Sequence, residues 1–455
     1  MQRRREARGA IQKRLRHSAP ASTALSRRQF LAALAAATGT LALAGCGDDD
    51  GAGGSPESAA LPSPDASGIE HVVVVMMENR SFDHFLGWVP GADGRQFGLA
   101  FPDKQGHLHP TFPLAPNFQN CQFEDPDHSY EGGRAQFNGG ANDGWLRAAT
   151  DDVFPIGYYT RDDLAFYGGA VPQWTICDRY FAAILGPTFP NRFYMHAAQT
   201  DRLSNTFTRS TLPTIWDRLA DRGLSGAYYF GDFPLVALWG GHLTSISKRF
   251  DQFLADASAG TLPNVAYVDP RFEGELQNDD HPLADIRNGQ AFVNQIYDAV
   301  TASPNWPDTV LIVTYDEWGG FYDHVPPPLA PRTDLDAALG NDGRLGFRVP
   351  CLVISPLTRR GVVAHRQYDH TSILSLIEWR WGLDPLTVRD ATANNLARAL
   401  DFERPKQLAA PRFSVPPGPF APCPSNPTAL RPELAGLRAL AQRYGFPLPS
   451  PPTRP

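Results

Sequence analysis

What this sequence lacks narrows its chemistry before any motif is considered. Its five cysteines include no close pair and no CxxC, which excludes a zinc-thiolate centre. No internal repeat is present, which sets aside solenoids and propellers. Positive charge is scarce: 41 Lys and Arg stand against 48 Asp and Glu, for a formal net charge of −7. The first 45 residues hold nine of the basic residues and one acid, Glu6, so the remainder carries −15. A nucleic-acid partner would need a basic stripe to displace counterions from phosphates, and it is excluded. Phosphate esters stay open as substrates, provided a cation sits in the site.

An apolar run long enough to span a bilayer is also missing from the amino terminus, where 30–44 is too short. What stands there is Arg3, Arg4, Arg5, Arg14 and Arg16, then Ser26-Arg27-Arg28-Gln29-Phe30-Leu31, then an Ala/Leu-rich stretch ending in Leu43-Ala44-Gly45-Cys46. That order resembles a twin-arginine export signal closed by a bacterial lipoprotein processing site. Residues 1–45 are therefore expected to be removed, leaving Cys46 as a lipidated membrane anchor; the bland alternative is an uncleaved amino-terminal anchor. Residues 46–68, rich in Gly, Ser, Pro, Ala and Asp, are expected to form a flexible tether. Cys121, Cys177, Cys351 and Cys423 remain, which outside the cytoplasm allow up to two disulfides in three connectivities.

With 455 residues, 42% of them hydrophobic, the chain can bury a large core. Four valines and two methionines at 72–77 predict a strand buried on both faces. Further short apolar runs stand at 227–230, 265–269, 310–315 and 349–354, with helical spacing of apolar residues at 215–219, 292–300 and 373–381. Strands alternating with helices at these intervals predict an α/β fold with a mainly parallel sheet covered on both faces. Two segments differ. Residues 102–167, dense in Gly, Asn, Asp, Pro and aromatics, are expected to form a long functional loop over the sheet's carboxyl edge. Residues 405–455 are proline-rich and expected to wrap the surface, with one helix near 432–444, which leaves 69–404 as the catalytic domain.

In an open α/β sheet, ligands bind at the carboxyl ends of the strands. The first strand ends there in Glu78 and Asn79, and the strand at 309–315 ends in Asp316-Glu317-Trp318-Gly319-Gly320. Acids at buried strand ends lose much of their hydration, and a divalent cation is the simplest compensation. Glu78, Asn79, Asp316 and Glu317 are the candidate metal ligands. The bland alternatives are that Glu78 caps the helix near Ser81 and that the acid-Trp-Gly-Gly run is only a turn. The paired glycines allow a sharp turn with the backbone close to whatever the acids hold. Between the two strands, Gly186-Pro187-Thr188-Phe189-Pro190-Asn191-Arg192 is expected to open a helix. Thr188 is there either an N-cap or, beside a cation, a nucleophile for phosphorus, with helix N–H groups binding phosphoryl oxygens. His128 in Asp125-Pro126-Asp127-His128 and His281 in Asn278-Asp279-Asp280-His281-Pro282 lie in polar loops. An imidazole there can bind a phosphoryl oxygen or protonate a leaving alkoxide, or be merely solvated. His324 is a third catalytic candidate, with the adjacent Asp323 either holding its tautomer or forming with it a merely structural pair, and His242 in Trp239-Gly240-Gly241-His242 is a weaker one.

Taken together, several motifs resemble the bacterial phosphoesterase family, which contains non-haemolytic type phospholipases C and a group of acid phosphatases. They are Glu78-Asn79-Arg80-Ser81-Phe82-Asp83-His84, Asp125-Pro126-Asp127-His128, the run from Gly186 to Arg192, Asp280-His281-Pro282, Asp316 to Gly320 with Asp323-His324-Val325, and Arg348-Val349-Pro350. The resemblance runs in order over about 69–381. It implies an alkaline-phosphatase-like three-layer α/β sandwich and hydrolysis through a covalent phosphoryl-enzyme on Thr188. It further implies one divalent metal on Glu78, Asn79, Asp316 and Glu317, with His128 and His281 around the phosphoryl group and leaving oxygen. The implied substrates are phosphoesters, either phospholipid head groups or soluble monoesters. Long phospholipases C carry extra carboxyl-terminal β-rich domains where this chain has a proline-rich tail. Two other classes compete: a non-catalytic surface lipoprotein that keeps the fold as a binding module, and a sulfatase or phosphoglycerate-mutase-like relative. Sulfatases need a Cys or Ser in a Cys/Ser-x-Pro-x-Arg setting, which Thr188 does not offer.

Overall fold

The computed structural model of the protein describes residues 60–148, 152–421, 423 and 432–449. The export signal and the lipidated Cys46 expected from the sequence lie outside the described residues. In chain order the strands are β1 (His71–Met77), β2 (Ala100–Pro102), β3 (Leu108–Pro110), β4 (Phe112–Pro113), β5 (Gly157–Tyr158), β6 (Thr175–Cys177) and β7 (Tyr180–Phe181). They continue with β8 (Gly226–Phe230), β9 (Ser247–Arg249), β10 (Val265–Asp269), β11 (Thr309–Tyr315), β12 (Cys351–Ile354), β13 (Val363–Ala364) and β14 (Tyr368–Asp369).

Eight of these make one sheet in the order β13-β6-β12-β11-β1-β10-β8-β9. Its centre is the valine-rich β1, whose β-branched side chains suit a pleated surface; Val72 to Val75 are fully buried on both faces. Burying each such side chain contributes roughly 1.5–3 kcal/mol. β1 runs parallel to β11, with Met77 opposite Tyr315, and to β10, with Val75 opposite Val268. Only β12 runs against its neighbours, β11 and β6. The cause is local: the chain leaving β11 at Asp316 stays on the carboxyl edge through residue 350 and re-enters the sheet from that side. The strand expected at 349–354 is thus present but reversed, while β6, β9 and β13 are too short to show in hydropathy.

The helices fall into two packing groups. Thr188–Ala197 touches Ile215–Asp221 and His370–Trp381, and Ile286–Thr301 touches Ala165–Ala170 and Phe250–Ala259. With the central strands covered on both faces, these groups form the outer layers of a three-layer α/β sandwich. No described helix is long and apolar enough to cross a membrane.

The periphery departs from expectation in three places. Residues 102–167 are a long insertion but not structureless: helices Tyr130–Phe137 and Trp145–Ala148 punctuate them, the first capped by the Ser129 hydroxyl, which accepts from Gly132 N–H at 3.0 Å. Residues 60–68, expected within the tether, pack on the domain: Leu61 lies against the core and Lys406 donates to the Gly68 carbonyl at 2.9 Å. Of the two disulfides allowed by composition, one is present among the described residues, Cys121–Cys423; Cys177 and Cys351 are buried thiols on β6 and β12. The bridge spans 302 residues, a closure that in the chain-entropy picture stabilises by at most about 6 kcal/mol. It pins the carboxyl-terminal stretch, which is also held by Trp306 Nε1 to the Leu408 carbonyl at 2.8 Å and Tyr297 hydroxyl to the Pro411 carbonyl at 2.7 Å.

Candidate active site

Three parallel strands deliver acids to one place. The register of β1 with β11 and β10 sets Glu78, Asp316 and Asp269 side by side at the carboxyl edge, and all three are buried, as is Glu317. One cation bridges three of them. Arg192 Nε donates to Asp316 at 3.0 Å, Nη1 donates to Asp269 at 2.9 Å, and Nη2 lies 3.5 Å from Glu78. Arg192 stands four residues after Thr188 in helix Thr188–Ala197, so the two share a helix face. Thr188 is the first residue of that helix and Pro187 holds the cap position, so Thr188 is not the N-cap of the bland alternative. Asn191 shapes the turn before it, accepting from Ile184 N–H at 3.1 Å and donating to the Gly186 carbonyl at 2.7 Å.

The buried oxygens Asn79 Oδ1 and Glu317 Oε1 have no hydrogen-bond partner among the described residues. Such atoms cost about 1–3 kcal/mol each unless something compensates them. Asn79 sits at φ 60, a left-handed conformation that Asn tolerates, and this turn places its amide beside the acids. Burial pushes the Asp316 carboxyl up to about 7, with Arg192 opposing and Glu78 adding to the rise. Burial also lifts Glu317 well above the usual carboxylate range, against the pull of His128. Glu78, Asn79, Asp316 and Glu317 are the strand-end residues that could hold a divalent metal ion, while the groups whose ligand atoms lie within 4.8 Å of one another are Asp125, His128 and His281, and Asp83, Asp323 and His324.

His128 stands beside these acids. Burial lowers its basicity, but the Glu317 and Asp125 carboxylates outweigh that and hold the imidazole up at about 9. Its Nδ1 donates to the Pro126 carbonyl at 2.7 Å, and its Nε2 lies 3.3 Å from the Asn79 side-chain amide.

The insertion and the loop after β10 bring the two expected histidines together. Asp125, His128 and His281 each offer a ligand atom within 4.8 Å of the others, and the imidazole rings meet edge-on at 5.7 Å. His281 Nδ1 donates to the Pro282 carbonyl at 3.1 Å, and its Nε2 lies 3.7 Å from Asp125. The paired glycines make this approach possible. Both have positive φ; a Cβ on Gly319 would lie 2.2 Å from the Asn79 carbonyl oxygen, and one on Gly320 2.6 Å from Pro126 Cβ.

His324 belongs to a different group. Its Nδ1 meets Asp83 at 2.5 Å and its Nε2 meets Asp93 at 3.1 Å. Asp323, expected to hold its tautomer, instead accepts from Arg348 Nε at 2.8 Å and Val325 N–H at 3.0 Å. The buried Arg348 guanidinium needs that carboxylate, so Asp83, from the far end of the sequence, takes the imidazole. His242 pairs with Asp217 at 2.6 Å on the surface, away from the strand ends.

Four residues that sequence reasoning left without a role join the site: Arg192, Asp269, Asp125 and His370, whose Nε2 lies 2.7 Å from the Asp316 carbonyl. Two carried a usable signal. Asp269 is a third acid closing an apolar run, and Arg192 follows Thr188 by one helical turn.

A mainly parallel sheet that gathers acids, an arginine and two histidines at its carboxyl edge forms the candidate active site of an α/β sandwich. The Phosphoesterase family profile matches residues 69–384, and the chain belongs to that family, which makes it a hydrolase of phosphoric esters. It is similar to non-specific phospholipase C1 of Arabidopsis thaliana, 32% identical over 405 residues that cover 77% of this chain and 75% of that one. It is similar also to phospholipase C B of Mycobacterium tuberculosis (strain ATCC 25618 / H37Rv), 33% identical over 473 residues that cover 86% of this chain and 88% of that one. Likeness to solved structures is distant. A protein in the alkaline phosphatase superfamily from Vibrio parahaemolyticus aligns over 72% of this chain and 69% of its own, at 8% identity and a TM-score of 0.35. Phosphonate monoester hydrolase of Agrobacterium radiobacter aligns over 74% and 78%, at 11% identity and a TM-score of 0.36.

Proposed function

We propose that the protein is an exported, metal-dependent phosphoric ester hydrolase of the phospholipase C type. The observation that carries this is the pair of buried, unpartnered oxygens on Asn79 and Glu317, set among surplus acids at the strand ends of a phosphoesterase. The names of the two curated relatives direct the choice of ester toward a phospholipid. Glu78, Asn79, Asp316 and Glu317 would hold one divalent cation, which when bound would supply positive charge for phosphoryl oxygens and lower the pKa of a neighbouring hydroxyl. Thr188 is the nucleophile: its hydroxyl gives up its proton to solvent, its oxygen bonds to phosphorus as the bond from phosphorus to the lipid alcohol breaks, and the Thr188 N–H at the helix start faces the phosphoryl oxygen. His281 gives a proton to the leaving alkoxide, and His128 binds the phosphoryl group beside Asn79. Water then releases the phosphorylated head group from Thr188. His324 is a positioning residue, bracing Asp83 in the short helix that follows Asn79. The signal in 1–45 and a lipid on Cys46 place the enzyme outside the cytoplasmic membrane and anchored to it.

The deciding experiment assays the chain on phosphatidylcholine and on nitrophenyl phosphate with a panel of divalent cations. Faster release of phosphocholine than of nitrophenol is expected. Hydrolysis confined to the monoester would make the enzyme a broad-specificity acid phosphatase. Absence of hydrolysis of either ester with every cation would leave a non-catalytic lipoprotein.

A further inference from the structure

Exposed hydrophobic side chains are not spread evenly over this molecule. Of the five large ones most exposed among the described residues, Phe97 (82%), Leu108 (68%), Leu329 (60%) and Leu276 (52%) lie in the connections that leave the carboxyl ends of β1, β11 and β10. Those are also the connections that carry His128, Glu317 and His281. Only Leu408 lies elsewhere, in the carboxyl-terminal stretch.

Leu108 is mounted on a fixed base, and Phe97 stands three residues before β2. Register pairs Ala100 with Pro110 and Pro102 with Leu108, so these four side chains share one face of the β2-β3 pair, and Phe101 points to the other. Phe101 is buried against Trp145 and Tyr322, in the cluster that includes Trp318, the residue after Glu317. The Tyr322 hydroxyl donates to the Gln96 carbonyl at 3.4 Å, and the Gln96 side chain donates to the Asp83 and Tyr159 carbonyls at 3.0 and 2.7 Å. An apolar outer face is therefore fixed to the wall of the candidate site. In the same segment Arg95 and Lys104 are exposed, while Asp103, the one acid in 95–110, accepts from His107 N–H at 2.8 Å and pairs with His109 at 2.9 Å. On a chain of formal net charge −7, residues 95–110 carry two Lys/Arg against one acid, so an anionic or zwitterionic surface is not repelled there.

We propose that this face, led by Phe97 and Leu108, docks on a phospholipid bilayer and sets the candidate site over the head groups. The proposal rests on the phospholipase C-type function argued above. The two side chains enter the boundary between head groups and acyl chains, and Arg95 and Lys104 meet lipid phosphates. An apolar patch of a protein would bind the same two side chains but not the lipid surface.

The test compares full-length chain carrying Cys46→Ser, so that no lipid is attached, with the same chain carrying also Phe97→Ser and Leu108→Ser. Binding is read by co-sedimentation with vesicles of phosphatidylcholine containing roughly a fifth anionic lipid. Hydrolysis is read on those vesicles and on a short-chain phosphatidylcholine held below its micelle concentration. The serine substitutions should weaken vesicle binding at least about tenfold and lower vesicle hydrolysis in step, with monomeric-lipid hydrolysis unchanged. Equal vesicle binding by the two chains, or an equal loss on monomeric and vesicular lipid, would overturn the docking surface and leave the function standing. Vesicle binding that depends on Phe97 and Leu108 without hydrolysis of either lipid form would support the surface and overturn the phospholipase function.

Discussion

Two buried groups of acid and histidine grow from the same pair of strand ends, and they are finished in opposite ways. The first takes Glu78 and Asn79 from the end of β1 and Asp316 and Glu317 from the end of β11; the second takes Asp83 and Asp323-His324 a few residues further along each chain. In the second group every carboxylate oxygen is occupied. Asp83 accepts from Arg95 N–H at 2.8 Å, from Arg348 at 3.2 Å and from His324, while Asp323 accepts from Arg348, Val325 N–H and Asp83 N–H. In the first group Asn79 Oδ1 and Glu317 Oε1 are left open although fully buried. Burial of acids alone therefore does not mark a reactive centre. What separates the two is whether the surrounding donors close the set.

That contrast can be broken experimentally, and the largest effect belongs to the open group. Asp316→Asn should lower kcat by about three orders of magnitude or more and reduce bound metal measured by elemental analysis. Turnover at the wild-type rate would remove Asp316 from the machinery. Thr188→Ala should abolish trapping of a phosphoryl-enzyme and cost on the order of 10³ in rate, while Thr188→Ser keeps part of both. Wild-type turnover in the alanine variant would leave Thr188 with a structural role only. The closed group should answer in stability instead. Arg348→Met leaves Asp83 and Asp323 buried without their cation and should cost about 3–5 kcal/mol in urea unfolding, with kcat of the folded fraction kept. A kcat loss as large as that of Asp316→Asn would move this group into the site.

The smallest effect is that of His324→Gln, expected to change kcat by less than about tenfold and to lower stability in a pH-dependent way. Burial lowers the His324 imidazole, but its bond and charge partner Asp83 prevails and raises it. A raised folded value means that the stabilisation is complete below the ordinary histidine range, about pH 6.5, and is lost as pH rises through the folded value. The gap in unfolding free energy between wild type and variant should therefore shrink with rising pH. A gap that widens would reverse the assignment of Asp83 as the partner.

Much of the open group is legible in the sequence because it depends on short-range facts. A β-branched run that stops at Glu78, another that stops at Asp316, and a Gly-Gly pair are local, and the parallel sheet then aligns them. Thr188 at the opening of a helix is likewise written in its flanking prolines. The closed group is not legible this way: Asp83 and His324 are 241 residues apart, and the neighbouring Asp323 is the more obvious partner until Arg348 claims it. The same holds for Arg192, whose three acids come from three strands, and for the reversal of β12, which follows from where its connection lies. Cys121 and Cys423 meet only because the insertion and the carboxyl-terminal stretch fold onto the same side.

That one bridge has a topological consequence. Every strand from β5 to β14, and with them Thr188, His281 and Asp316, lies on the chain between its two half-cystines. A single proteolytic cut in any loop of that stretch, including the one that exposes Leu276, leaves both fragments covalently joined. A nicked enzyme would run as one species on a non-reducing gel and as two after reduction, and the insertion carrying His128 would stay attached to the sheet it serves.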